Sequence, residues 1–202
     1  MKQTLIKTAV LFFAISISLA SCKKDKVEPK NSFKYHEKES LIGSVFAENV
    51  GEISAGSYGY YVYFLENTLT VHYTNSAPDG LSGSGDDMLI AMVSSDPSGL
   101  KPGVYTYGNN QNTYIPNTFG YDSRLIINHN IANETYSGVL LYGGGTITVT
   151  RNGDEYEFNF SMSTTVNSTI TGTYKGKIAI FAFAPGKKVP FMNPFAFPNR
   201  KK

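Results

Sequence analysis

The sequence predicts an all-β domain: an antiparallel β-sandwich of about nine or ten strands, with a lipocalin-like closed β-barrel as the alternative. Three observations predict it. No stretch after the N-terminal apolar run keeps a helical period. Apolar and polar residues alternate with period two in several segments. Short runs rich in Gly, Asn, Pro and Asp break these segments at close intervals, as hairpin-connected strands require.

In chain order, residues 42–47 make a first short strand. "GYYVYFLENTLTVHYTN" then reads as a hairpin. Tyr60, Val62 and Phe64 share one face, a turn falls near Glu66 and Asn67, and Leu69, Val71 and Tyr73 return. Residues 88–93, 104–107, 124–128 and 136–142 are further short candidates. "GTITVTRNGDEYEFNFSM" is the clearest hairpin. Ile147 and Val149 face inward, and Thr146, Thr148 and Thr150 face outward. Arg151-Asn152-Gly153-Asp154 supplies the turn, because Asn and Gly tolerate the positive φ of a tight hairpin. Tyr156, Phe158, Phe160 and Met162 then point inward, with Glu155, Glu157, Asn159 and Ser161 outward. "ITGTYKGKIAIFAF" is one long last strand, in which Gly172 and Gly176 predict a bend or the close approach of another element.

The chain opens with Lys2 and Lys7 and an apolar run from Ala9 to Ala20, too short to span a bilayer comfortably. A basic start, a short apolar middle and small residues at its end describe a secretory signal peptide. Leu19-Ala20-Ser21-Cys22 holds the only cysteine in the chain and resembles the lipobox of bacterial lipoproteins. The resemblance implies cleavage before Cys22, a diacylglycerol on its thiol and an acyl chain (palmitate or similar) on its new amino group. Several acyl chains on one residue anchor stably where one binds marginally. Lys23 after the cysteine resembles the sorting signal for the outer membrane. Lys23-Lys24-Asp25-Lys26 departs from the acidic cluster that many Bacteroidetes lipoproteins use for surface export, so the leaflet stays open.

The expected organisation is therefore a signal peptide at 1–21, a lipidated N-terminus and flexible tether at 22–39, one all-β domain at 40–184, and a Pro- and Phe-rich basic tail at 185–202. Charge is uneven along it. Residues 40–184 hold five basic against twelve acidic side chains, net −7, whereas residues 185–202 hold five basic and no acidic ones. An acidic body argues against nucleic-acid binding, which wants a basic face. The segments "PGVYTYG" and "GTITVTRNGDEYEFNF…ITGTYKGKI" are also similar to a pattern in all-β lipoproteins of the Bacteroidetes phylum. That resemblance implies fold and address and carries no activity.

Two segments are candidates for binding. "GNNQNTYIPNTFGYD" offers Asn109, Asn110, Gln111, Asn112 and Asn117 beside Tyr114, Phe119 and Tyr121. Planar amides pair with sugar hydroxyls and aromatic faces stack on sugar rings, so the expected ligand is a glycan. The tail offers Phe191, Phe195 and Phe197 among four prolines, either to pack back on the domain or to dock into an envelope protein.

Other chemistry is thinly represented. His36, His72 and His129 have no second ligand at short spacing, and a site joining His72, His129 and an Asp depends on the fold. Asp79, Asp86 and Asp87, in what reads as a loop, are spaced unlike an EF-hand, and the simpler reading is a plain mobile loop. Ser82 and Ser84 lack the Gly-x-Ser-x-Gly context. No cofactor or metal site is implied. The expected function is a non-catalytic, lipid-anchored envelope protein whose β domain binds a ligand or partner. The alternative is an envelope hydrolase using dispersed carboxylates such as Glu155, Glu157 or Asp122. Oligomeric state is not legible.

Overall fold

The structure, a computed structural model, describes residues 30–75, 77–108, 114–120 and 122–182. These residues are all-β. The strands are β1 (Ser32–Tyr35), β2 (Lys38–Ser54), β3 (Ser57–Glu66), β4 (Leu69–Thr74), β5 (Ala77–Ser94), β6 (Gly103–Gly108), β7 (Thr118–Gly120), β8 (Arg124–Asn130), β9 (Gly138–Asn152), β10 (Glu155–Thr164), β11 (Thr169–Lys177) and β12 (Ala179–Ala182). Pairing is antiparallel except at two short places, β6 with β7 and β2 with β12.

The order β1-β11-β10-β9-β6-β7-β5-β3-β2 returns on itself, because β1 pairs with both β11 and β2. β8 bridges β5 and β9 on the opposite side. Within this ladder the β2–β3–β5 layer faces the β9–β10–β11 layer. The Phe64 ring on β3 meets Phe158 and Phe160 on β10 edge-on, with centroids 5.1 and 4.9 Å apart. Such edge-to-face pairs add to the burial of large rings. The interior is filled by Phe33, Tyr60, Val62, Met88, Ile90, Tyr105, Ile147, Val149 and their neighbours. One end is stoppered by residues 95–102: Leu100 is fully buried there. Tyr60 Oη donates to the Asp96 carbonyl at 2.8 Å, and Tyr105 Oη to the Lys101 carbonyl at 2.9 Å.

The 146–162 hairpin forms as expected, with Gly153 and Asp154 as its two-residue turn. Its inward residues Tyr156, Phe158, Phe160 and Met162 are all buried. Three expectations are corrected. First, β3 and β4 are not a hairpin. Both pair with β5 in one continuous register, Leu65 opposite Asp87 and Leu69 opposite Gly83. Residues 67 and 68 bend a single arm, and the reversal falls between Thr74 and Ala77, where Asn75 takes a φ of 52°. The expected loop around Ser82 is therefore the first half of β5. Gly83, at a φ of 98°, gives the Thr68 carbonyl room that a Cβ would occupy. Second, the tether ends earlier than residue 39. Phe33 and Tyr35 are buried core residues of β1, so their apolar side chains outweigh the charged composition around them. Third, the last strand breaks at Ile178, and β12 leaves β11 to lie alongside β2.

Gly172 and Gly176 mark close approach, as expected. A Cβ on Gly172 would overlap the Ser32 carbonyl oxygen and sit 2.7 Å from Phe33 Cα. The Tyr174 ring folds back over Gly176, and its hydroxyl donates to the Lys177 carbonyl at 2.9 Å. The distal half of the β3–β4/β5 arm helps form a second core cluster outside the first. Leu65, Leu69 and Leu89 pack there with Phe46 and Tyr63, whose rings stack at 4.6 Å.

Candidate functional site

Cys22, Asn109, Asn110, Gln111, Asn112, Tyr121, Phe191, Phe195 and Phe197 lie outside the described residues. Of the expected glycan patch, Tyr114 is exposed, next to the exposed Ile115. Phe119 is a correction. On β7 it is fully buried, edge-on to Tyr107 at 5.7 Å, and so offers no face to a ligand. Asn117 is half-buried, and its side-chain Oδ1 is buried without a partner among the described residues. At a φ of 61° it is a backbone junction: its N–H donates to the Val93 carbonyl at 2.8 Å and its carbonyl accepts from Thr106 N–H at 3.1 Å. A strand-alternation reading of the loop had no way to see that "NTFG" re-enters the sheet.

The three aspartates of the candidate calcium loop are split by strand alternation. Asp79 bonds Thr74 on the exposed arm. Asp86 points inward and is wholly buried. Its carboxylate accepts from Lys38 Nζ at 2.8 Å, Ser40 Oγ at 2.6 Å and Asn128 N–H at 2.9 Å. A buried carboxylate needs this much compensation, and the set pins β2 and β8 to β5. Asp87 points outward, its Oδ2 lying 2.5 Å from His129 Nδ1. His72 instead lies on β4, its Nε2 lying 2.8 Å from Ser82 Oγ. The fold thus does not join His72 and His129. Among the described residues no group of three His, Cys, Asp or Glu is placed to hold a metal ion.

The carboxylates of the hydrolase alternative are not gathered either. Glu155 and Glu157 lie on the outward face of β10, opposite Lys177 and Lys175 of β11. Asp122 accepts from Tyr61 Oη at 3.3 Å, outside the other layer.

Sequence reasoning missed a row of titratable groups on the outward side of β2, β3, β5 and β8. Glu48 is 7% exposed and accepts from Tyr63 Oη at 3.1 Å. Burial raises the Glu48 carboxyl above the usual carboxylate range. Burial first, and the neighbouring Glu48 second, push the Tyr63 phenol far up. Arg124 stands opposite Leu89, nearly buried, with its Nε lacking an acceptor. Asp87 and His129 end the row. The available signal was period two: Phe46, Glu48, Tyr61 and Tyr63 fall on the face opposite Ala47 and Val62. That face reads as solvent-facing until the folded arm covers it.

These groups can hold protons and fix strands. Among the described residues, the outward face of the other layer is exposed. Across β6, β9, β10 and β11 it presents Thr106, Thr146, Ser161 and Thr171 in one row of cross-strand neighbours, all exposed. Compared with known proteins, the chain matches no family model, no curated protein and no solved structure.

Proposed function

We propose that the chain is a lipid-anchored protein of the cell envelope whose β domain is a non-catalytic binding module for a ligand or partner, a glycan or an envelope protein. The observation that carries this is the single cysteine, which closes Leu19-Ala20-Ser21-Cys22 after a short apolar run. A chain with one cysteine has no internal disulfide, and acylation gives that thiol a use. The outer membrane is the proposed address.

The domain's build supports a binding role at the surface. Its interior is filled by interlocked aromatic rings. Asp86, the Asp87–His129 pair and His72 are each engaged with structural neighbours. The first strand begins at Ser32, so the anchor and the domain are joined by at most about 35 Å of extended chain. The module therefore works close to the bilayer. Mass spectrometry of the mature N-terminus tests the reading. A lipid-modified Cys22 as first residue is expected, and an unmodified or uncleaved N-terminus overturns it.

A further inference from the structure

The outward face of β6, β9, β10 and β11 is a grid. Its first row is Thr106, Thr146, Ser161 and Thr171. Its second is Val104, Thr148, Asn159 and Thr173. Neighbours within a row stand about 4.8 Å apart, and the rows about 7 Å apart, from strand geometry. Val104 is a large hydrophobic residue left 52% exposed at the edge of this grid.

Two features separate the grid from an ordinary wet strand face. The first is charge. The body carries twelve acidic side chains, yet neither row holds a charged group across these four strands. Charges begin only at its border, with Lys34 beyond Thr171, and Glu157 opposite Lys175. The second is availability. Among the described residues, the side-chain hydroxyls of Thr106, Thr146, Thr148, Ser161, Thr171 and Thr173 donate no hydrogen bond to another side chain or to the backbone.

We propose that this face docks an extended, uncharged polysaccharide, a flat ribbon of β-1,4-linked sugars lying along the rows, across the strands. This rests on the reading that the domain is a binding module and names the ligand class and the surface. The chemistry is complementary. Each threonine offers a hydroxyl that both donates and accepts, and a methyl group beside it. A sugar ribbon offers the same alternation of hydroxyl edge and C–H face. The cross-strand step is comparable to one sugar unit, so successive units meet successive side chains. A neutral partner loses nothing on meeting a neutral grid, whereas a polyanion would be repelled by the acidic body around it. The right-handed twist of the sheet suits a flexible ribbon, which follows it, rather than a rigid planar lattice.

The test is co-sedimentation of the full mature chain in mild detergent with acid-swollen, non-crystalline cellulose and with swollen, non-crystalline chitin, cross-linked dextran serving as the control of different linkage. The expected result is binding to one or both ribbons and none to dextran. The double variant Thr146→Glu/Thr171→Glu is expected to bind about tenfold more weakly, since two ligand hydrogen bonds are lost. Thr146→Ser/Thr171→Ser keeps the hydroxyls and retains most binding. All variants should melt like the parent, because the sites are exposed. Absence of binding to both ribbons, or equal binding by the glutamate variant, overturns the proposal. So does loss of self-association in the glutamate variant, which would make the face an interface between copies. Capture of an envelope protein that the glutamate variant retains would overturn this surface and leave the binding-module reading standing.

Discussion

Lys38 Nζ donates to Asp86 Oδ1 at 2.8 Å, and Asp86 is wholly buried while Lys38 keeps one side in water. The contact joins the first residue of β2 to the middle of β5. It works together with Ser40 and the Asn128 N–H, so three elements meet on one carboxylate.

Replacing Asp86 with alanine leaves Ser40 and the Asn128 N–H without their acceptor. We expect a loss of about 3 kcal/mol, the scale for breaking a buried ion pair. Lys38→Met should cost a similar amount, because it leaves a buried carboxylate without its counter-charge. The double variant should cost less than the sum. Urea denaturation of the three variants measures this; additive losses would show that the two residues act independently.

Closure of the ladder depends on β1 lying tight against β11. Gly172→Val pushes a side chain into the Ser32 carbonyl and the Phe33 backbone. A loss of about 2 kcal/mol is expected, in the range for overpacking. Hydrogen exchange should then speed up first in residues 32–35. Unchanged exchange there would mean that β1 tolerates displacement.

Glu48 gives the protein a pH dependence of definite sign. Its carboxyl is raised by burial, so the folded state holds a proton that the unfolded chain releases near its ordinary value of about 4.3. Its stabilising contribution is complete below that value and is lost as pH rises through the raised folded value. Glu48→Gln keeps an acceptor for Tyr63 and removes the titration. Its unfolding free energy should exceed the parent's at neutral pH, with a flatter slope through the mildly acidic range. A variant less stable than the parent at neutral pH would contradict this.

The bent arm can be tested by cross-linking. Thr70 stands directly opposite Ser82, and cross-strand neighbours lie within disulfide reach. In a Cys22→Ser background, Thr70→Cys with Ser82→Cys should oxidise readily without loss of folding. A folded variant that stays reduced would mean that β4 does not run along β5.

How much of this was legible follows from which forces act locally. The 146–162 hairpin was readable because its alternation, the glycine in its turn and its burial all agree within eighteen residues. Gly172 was readable because a glycine inside a strand asks for a neighbour. The β3–β4 relation was not, because Glu66 and Asn67 look like a turn, and only the matching register along β5 shows that the chain bends and runs on. Phe119 was misplaced for a related reason. Its three-residue strand gains its burial by pairing with β5 and, in parallel, with β6, and three residues are too few for alternation to announce that. The Glu48 face was hidden because its cover comes from the distal arm and from β12. The hydroxyl grid was half visible: the outward threonines of β9 and β11 stand in the sequence, but their alignment into rows is a property of the ladder.

The most direct measurement of the central claim is fractionation of cells expressing the parent and Cys22→Ser, fed with labelled palmitate. The parent is expected to take up label and sediment with membranes, and the variant to do neither while remaining folded. A Cys22→Ser protein that still sediments with membranes, or a parent that takes up no label, would contradict the lipid anchor.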